Sequence, residues 1–73
     1  MIIRAYNGFT PKIHSHAWIA ENAVIIGDVE IGAGSSIWYN TVIRGDLHLI
    51  RIGENVNIQD GAIFDTDEVH VEI

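Results

Sequence analysis

Two charged segments, residues 44–51 and 65–72, contain half of the side chains that could bind a metal ion or an ionic ligand. Imidazole and carboxylate groups are ligands that zinc accepts in proteins. If the two segments lie side by side, Asp65, His48 and His70 form a candidate metal site. The alternative interpretation is a solvated ridge without a ligand, with His70 an ordinary surface histidine.

The composition excludes several kinds of site and partner. The 73 residues contain no cysteine, so a disulfide and a cysteine-built zinc site are both ruled out. Ten acidic residues against four Lys and Arg give a formal charge of −6, which argues against a nucleic-acid partner. The longest apolar run, residues 23–26, is too short for a membrane span, and the first residues lack the pattern of a signal peptide. We therefore expect a single cytoplasmic domain that binds neither nucleic acid nor membrane.

An isoleucine recurs every six residues along most of the chain. Six is a multiple of the two-residue period of a strand and not of the 3.6-residue period of a helix, so these side chains share a face only in extended chain. Two jumps of nine residues interrupt the step of six, one in each charged segment. The repeat positions are Ile13, Ile19, Ile25, Ile31, Ile37, Ile43, Ile52, Ile58, Phe64 and Ile73.

The residues around each repeat position predict short strands separated by corners. Two residues earlier, the chain has small or β-branched residues, which fit beside a bulky aliphatic side chain on one inward face. Three residues later it has Gly, Asn, Asp or His, which favour turns. The corner residues are His16, Asn22, Asp28, Gly34, Asn40, Asp46, Asn55, Gly61 and Asp67.

Three six-residue units close one triangular coil, and successive coils stack. We therefore predict an all-β fold, a parallel β-helix of about three to four coils with an aliphatic interior, in residues 13–73, after a lead-in strand in residues 1–12. A small antiparallel sandwich would also show alternation, but it gives no reason for the phased repeat positions. Both jumps of nine fall at the same corner, so residues 44–51 (the first insertion) and 65–72 (the second insertion) are expected to stack.

Residues 37–46, which read IWYNTVIRGD, and residues 57–61, which read NIQDG, resemble the gamma-class carbonic anhydrase family. The resemblance implies a left-handed β-helix built from hexapeptide repeats. It also implies a homotrimer in which three histidines hold a catalytic zinc between adjacent subunits. Zinc in that setting lowers the pKa of its bound water and supplies hydroxide for attack on carbon dioxide.

The resemblance assigns roles to five residues of this chain. Arg44 and Asp46 match an arginine and an aspartate that form an ion pair at the subunit interface. Gln59 and Asp60 match catalytic residues that lie near the metal, where they orient water and ligands. Asp65 stands where the family has its first histidine ligand. A carboxylate can bind zinc, but its charge changes the acidity of the bound water.

The zinc site implied by the resemblance is incomplete in this sequence. The family's other two histidines lie beyond a segment like residues 69–73, where this sequence stops. We therefore expect an N-terminal portion, truncated at its C-terminus, that holds no zinc stably and does not hydrate carbon dioxide. Two alternatives are a hexapeptide-repeat acyltransferase with a coenzyme A groove and a pure interaction or scaffold module.

Assembly with other chains is expected from the small size of the domain. A domain this short buries only about 60% of its unfolded surface, and bare strand edges recruit other chains. We expect a homo-oligomer, either a family-like trimer or an end-to-end pair through an open last coil. Trp18 and Trp38 flank repeat positions, so they should point outward and pack at an interface. His14 and His16 could bind a metal weakly, but we expect them to lie on the outside of the first coil.

Overall fold

The computed structural model describes residues 1–66 and 71–73, which form nine strands. In this part of the chain, no helix is long and apolar enough to cross a membrane. The strands are β1 (Ile2–Arg4), β2 (Lys12–Ile13), β3 (Trp18–Ile19), β4 (Val24–Ile31), β5 (Ser36–Ile37), β6 (Val42–Ile52), β7 (Asn57–Ile58), β8 (Ile63–Asp65) and β9 (Val71–Glu72).

The strand pairs are all parallel, and they define three faces of a triangular solenoid. On the first face, β1, β4, β6 and β8 lie side by side in that order. The second face contains β2, the second halves of β4 and β6, and β9. The third face contains β3, β5 and β7. The described strands therefore form a parallel β-solenoid of about three turns, which confirms the predicted fold class and excludes the antiparallel sandwich.

The predicted repeat positions form the core of the solenoid. Ile25, Ile37 and Ile43 are completely buried, and buried residues alternate with more exposed ones along the whole of β4. Burial of one such side chain contributes roughly 1.5–3 kcal/mol, so the aliphatic column is the main stabilising feature. The core residues, at repeat positions and two residues before them, are Ile19, Ala23, Ile25, Val29, Ile31, Ile37, Ile43, Ile50, Ile52 and Ile58.

Three polar side chains are buried among the described residues, and two of them bond to the backbone of the next coil. Ser35 Oγ donates to the carbonyl of Gly53 at 2.6 Å and accepts from the N–H of Val56 at 3.0 Å. Thr41 Oγ1 donates to the carbonyl of Gln59 at 3.3 Å. Because a buried hydroxyl is costly without a partner, these bonds are needed for burial, and they tie the second coil to the third.

Two of the three corners in each coil contain tight turns, as predicted. Gly34, Asn40, Asn55 and Gly61 have φ values between 57° and 78°, a conformation that Gly and Asn adopt most readily. Asn40 also bonds to Asn22 in the preceding coil: its N–H donates to Asn22 Oδ1 at 2.9 Å, and Asn22 Nδ2 donates to Asn40 Oδ1 at 2.6 Å. The corner residues therefore support each other from coil to coil.

The third corner differs from the prediction. β4 and β6 run through it as extended chain, so Asp28 and Asp46 lie within strands and not in turns. The change of direction occurs instead at Gly27, where φ is +81° and the pairing of β4 with β6 shifts register. A Cβ atom on Gly27 would lie 2.5 Å from the carbonyl oxygen of Gly45. Glycine is therefore what allows two coils to approach at this corner.

The first insertion bulges out of this third corner. Between Gly27 and Val29, β4 advances by two residues, whereas β6 advances by five between the paired positions Gly45 and Ile50. The three extra residues predicted from the jump of nine are therefore accommodated without breaking the ladder on either side.

The second insertion begins and ends in register with the first. Asp65 pairs with Arg44, and Val71 pairs with Ile50. The two insertions therefore have equal length and start and finish one above the other, as predicted. Residues 67–70, which include the corner residue Asp67 and the candidate ligand His70, lie outside the described part of the chain.

A hairpin follows β1 at the N-terminal end of the solenoid. Tyr6 and Phe9 exchange backbone hydrogen bonds of 2.8 Å and 3.0 Å. Between them, Asn7 and Gly8 have φ values of 52° and 85°. Positive φ at both central residues is typical of a type I′ turn, for which Asn-Gly is a preferred sequence.

Candidate functional site at the insertion corner

Arg44 and Asp65 form an ion pair on the outside of the first face. They are register partners on β6 and β8, and Arg44 Nη2 donates to Asp65 Oδ2 at 2.6 Å. Their side chains are 46% and 51% exposed. The hydrogen bond to Asp65, followed by the negative charges of Asp65 and Asp46, raises the pKa of Arg44. The carboxylate at the family's first ligand position is therefore bound to a guanidinium.

Asp46 is a half-buried carboxylate in β6 with one oxygen that lacks a donor. Its Oδ1 is buried and has no hydrogen-bond partner in the part of the chain that the structure describes. A buried carboxylate oxygen without a donor is costly, so Asp46 lowers the stability of the single chain in this arrangement. The ion pair of Arg44 with Asp46 across a subunit interface stays a prediction, because a single chain cannot contain it.

Thr66 joins the two insertions through a contact that no spacing in the sequence predicts. Its hydroxyl accepts a hydrogen bond from the N–H of His48 at 3.1 Å and donates one to the carbonyl of His48 at 3.2 Å. Thr66 exposes only 3% of its surface. The one signal in the sequence is an uncharged β-branched residue inside a charged segment, and that signal does not indicate its partner.

The metal site predicted from Asp65, His48 and His70 falls partly outside the described residues. His48 is exposed, Asp65 is bonded to Arg44, and His70 is one of the residues not described. Among the described residues, no three His, Asp or Glu side chains lie close enough together to hold a metal ion. Among the described residues, Asp65 is the one that the resemblance places at a zinc-ligand position, and its negative charge differs from that of a neutral imidazole ligand.

Gln59 and Asp60 lie at the corner between the third and first faces, one coil after Trp38 and Tyr39. Both side chains are exposed. The backbone carbonyl of Gln59 accepts the hydrogen bond from Thr41 described above. The main chain of Gln59 thus has a structural role, while the catalytic role of the Gln59 and Asp60 side chains stays a prediction.

His14 and His16 lie on the outside of the first coil, as predicted. Both are exposed, and their ring centroids are 5.3 Å apart. The N–H of His16 donates to Nδ1 of His14 at 3.0 Å. Because Nδ1 already accepts this bond, only Nε2 of His14 could bind a metal ion in this arrangement.

A groove of about 500 Å³ lies along the outside of the second face. An ion pair lines it, with 3.2 Å between Arg51 Nε and Glu30 Oε1. Positive and negative side chains are mixed along the groove, so it is a poor match for the concentrated positive charge that favours phosphates. The polar side chains that line it are Lys12, His14, Glu30, Arg51 and Glu54.

Comparison with known proteins identifies relatives of this chain. Residues 10–45 match the family described as "Bacterial transferase hexapeptide (six repeats)". A protein named "Carbonic anhydrase" from Geobacillus kaustophilus is 53% identical over 62 residues, which are 85% of this chain and 34% of that protein. "Gamma carbonic anhydrase 3, mitochondrial" from Arabidopsis thaliana is 50% identical over 54 residues, which are 74% of this chain and 21% of that protein.

A solved structure has the same fold. The crystal structure of a hexapeptide transferase family protein from Anaplasma phagocytophilum matches 97% of this chain and 43% of its own, with a TM-score of 0.89 and 46% identity. This chain therefore spans less than half the length of each of these relatives. The family assignment is supported by the six-residue repeat, the parallel three-faced solenoid and these similarities. The chain belongs to the hexapeptide-repeat transferase family, and it covers part of the length of its gamma carbonic anhydrase-like homologues.

Proposed function

We propose that this chain is a β-helical assembly module of the gamma carbonic anhydrase-like proteins that does not itself hydrate carbon dioxide. The observation that carries the proposal is the bond between Arg44 and Asp65, because Asp65 stands at the family's first histidine position. The family assignment supports a role in assembly, since the resemblance implies that its members work as trimers.

The Arg44–Asp65 pair differs chemically from a zinc ligand. A neutral imidazole leaves the full charge of zinc available to acidify the bound water. A carboxylate ligand lowers the net charge of the centre, which raises the pKa of that water. In this chain the guanidinium of Arg44 lies 2.6 Å from Asp65 Oδ2, and its positive charge also opposes the approach of a divalent cation.

Two features support assembly into a homo-oligomer. Asp46 is only half-buried in the single chain, so part of its side chain stays accessible to Arg44 of a second copy, the partner that the resemblance implies. The second feature is the resemblance itself, which implies that members of the family are trimers. We favour the trimer over end-to-end pairing, because the resemblance implies that Arg44 and Asp46 form an ion pair between subunits.

Stopped-flow measurement of carbon dioxide hydration, with zinc added, tests the catalytic part of the proposal. The expected rate equals that of buffer alone, both for the unchanged chain and for Asp65→Asn. A carbonic anhydrase measured in the same buffer serves as the positive control. A rate clearly above buffer for the unchanged chain would overturn the proposal, and loss of that rate in Asp65→Asn would make Asp65 a zinc ligand.

Light scattering at low micromolar concentration tests the assembly part. We expect an oligomer, and we expect Asp46→Leu to change its apparent mass, because the interface partner of the carboxylate is lost. Asp60→Asn, at an exposed corner residue, is the matched control and should leave the mass unchanged. A folded monomer for the unchanged chain would contradict the proposal.

A transferase function is the second candidate, favoured by the name of the matching family and by the groove on the second face. Lys12 and Arg51 could contact phosphates of a coenzyme, whereas Glu30 and Glu54 would repel them. Thermal unfolding with acetyl-coenzyme A decides the matter, since a ligand bound to the folded state raises the melting temperature. An increase that Arg51→Gln removes would favour this function over the assembly module.

A further inference from the structure

We propose that the rings of Trp18, Trp38 and Tyr39, the aromatic cluster, bind a small organic cation with a trimethylammonium-type head group. The ring centroids of Trp18 and Trp38 are 4.8 Å apart, and the Tyr39 centroid lies 6.0 Å and 6.4 Å from them. Trp18 and Tyr39 expose 44% and 39% of their surface. In the single chain, the cluster is therefore a continuous aromatic surface that solvent reaches, outside both the insertion corner and the groove. The packing of Trp18 and Trp38 at a subunit interface stays a prediction.

Trp38 is held in place by polar groups beneath the cluster. Its Nε1–H lies 2.6 Å from Asn57 Oδ1 and 3.0 Å from Ser36 Oγ, and Ser36 Oγ donates to the same Asn57 oxygen at 2.6 Å. These bonds fix the plane of the indole and satisfy its one donor. The cluster is thus organised before any ligand binds, which lowers the entropic cost of binding, and it offers a ligand the faces of its rings.

The angle between two rings favours a rounded cation. Trp18 and Tyr39 are nearly perpendicular and in edge-to-face contact, with 77° between their planes, so a cation placed in the angle between the planes would face both rings. A cation within about 6 Å of a ring centroid is attracted by the negative face of the ring. A trimethylammonium group in this angle can contact both rings, whereas a planar guanidinium would stack on one ring only.

Carboxylates flank Tyr39 in the neighbouring coils. The inter-coil backbone bonds from Ala20 to Ile37 and from Gly61 to Tyr39 place Glu21 and Asp60 at the corner position that Tyr39 occupies, one coil before and one coil after it. Both residues are exposed, and neighbouring coils are about 4.8 Å apart. Asp60 and Glu21 can both supply attractive charge. Asp60 is the better residue to substitute, because the Met1 ammonium is bonded to the backbone carbonyl of Glu21.

NMR titration with choline tests the proposal on the unchanged chain. We expect saturable shifts of the Trp18 and Tyr39 ring signals. The neutral molecule 3,3-dimethyl-1-butanol has nearly the same shape and should bind about two- to fivefold more weakly, because it lacks the cation–π attraction. Equal binding of the two molecules, or the absence of a saturable shift with choline, would overturn the proposal.

Variants then locate the site. Trp18→Leu and Tyr39→Leu should each weaken choline binding by about two- to fivefold, whereas Trp18→Phe, which keeps a ring face, should lose less. Phe9→Leu is the matched control, since Phe9 is a similarly exposed aromatic residue, at 53%, in the N-terminal hairpin. Asp60→Asn should weaken binding of choline and leave binding of the alcohol unchanged. If Trp18→Leu retains its fold by circular dichroism and binds choline as before, the aromatic cluster is not the site.

The trimethylammonium head group occurs in soluble molecules such as choline and also in phosphatidylcholine on a lipid surface. Co-sedimentation with phosphatidylcholine vesicles separates the two sources. If the protein binds choline but stays in the supernatant, its ligand is a soluble cation. If the protein sediments with the vesicles and Trp18→Leu abolishes this binding, the same site also binds the lipid head group. Vesicle binding that persists in Trp18→Leu, together with unchanged choline binding, would overturn the assignment.

Discussion

Thr66 holds the backbone of His48 by two hydrogen bonds from one hydroxyl, which accepts from the N–H at 3.1 Å and donates to the carbonyl at 3.2 Å. The two residues belong to the second and first insertions. The ladder between β4 and β6 skips His48, so its peptide groups lack strand partners there. The Thr66 side chain therefore takes the place of a strand partner for His48, and it links the first insertion to the beginning of the second.

Thr66→Val should lower the free energy of unfolding by about 1–3 kcal/mol, because it leaves two backbone groups of His48 without their partner at a site that is largely shielded from water. Valine keeps nearly the same volume, so the change reports mainly on the hydroxyl. Urea denaturation followed by circular dichroism measures the difference.

Thr66→Ser is the control for this comparison. It keeps the hydroxyl and removes one methyl group, so it should cost less than Thr66→Val. If serine destabilises the protein as much as valine does, packing of the methyl group and not hydrogen bonding is the function of Thr66.

The solenoid could be predicted from sequence because its determinants repeat locally. Ile25, Ile37 and Ile43 each lie in the same six-residue environment. Because side chains alternate with a two-residue period along a strand, their positions determine which of them face the interior. The length of each insertion also follows from the spacing, since the ladder resumes in register at Ile50. Positions that depend on one repeat unit were therefore predicted correctly.

The third corner and the polar contacts could not be predicted, because they depend on other coils. Asp28 has a residue type that favours turns, but the bend occurs at Gly27, where the carbonyl of Gly45 in the next coil leaves no room for a Cβ atom. Likewise, the partner of Asp65 is Arg44, twenty-one residues earlier. No local pattern in the sequence specifies such a pair, since only the stacking of the coils brings its members together.

The Arg44–Asp65 ion pair should contribute little, and its contribution should fall with salt, because both side chains are about half exposed. A double-mutant cycle with Arg44→Gln and Asp65→Asn, run at about 0.1 M and about 1 M salt, should show a coupling that nearly disappears at the higher concentration. Arg51→Gln with Glu30→Gln provides a second exposed pair for comparison. Coupling that is insensitive to salt would contradict this expectation.

The direction of the Arg44 pKa fixes the pH dependence of this coupling on the basic side. A basic group whose pKa is higher in the folded state than in the unfolded state stabilises the fold. This stabilisation is complete at pH values below the unfolded-state pKa, and it is lost as the pH rises through the folded-state pKa. Since arginine is strongly basic even when unfolded, the Arg44 contribution should stay constant between about pH 6 and about pH 9. Repeating the cycle at both pH values checks this.

Gly61 and Gly34 should respond differently to replacement by alanine, although both have positive φ. A Cβ atom on Gly61 meets nothing within 4 Å, whereas one on Gly34 would clash with Asn55 Oδ1. Gly61→Ala should therefore lower the free energy of unfolding only by the cost of a left-handed conformation, roughly 1–2 kcal/mol. Gly34→Ala should lower it further, because the Asn55 side chain must also move. Urea denaturation of the two variants measures both losses.

Gly61→Asn refines this prediction. Asparagine tolerates positive φ better than alanine, and the position follows Asn22 and Asn40 in the stack of corners, whose side chains already bond at 2.6 Å. Gly61→Asn should therefore be more stable than Gly61→Ala. If alanine and asparagine are equally destabilising, neither the tolerance for positive φ nor the asparagine stack stabilises this corner.

Ile37 and Ile63 provide the most direct test of the inward and outward sides of the solenoid. Ile37 is completely buried in β5, whereas Ile63 in β8 is 71% exposed. Removing one methylene group from a buried isoleucine costs about 0.5–1.5 kcal/mol, and an exposed substitution usually changes stability by less than about 0.5 kcal/mol. Ile37→Val should therefore lower the urea midpoint while Ile63→Val leaves it nearly unchanged. A larger loss at Ile63 would mean that this residue is covered in solution, and light scattering of the same samples would then show whether a second copy of the chain covers it.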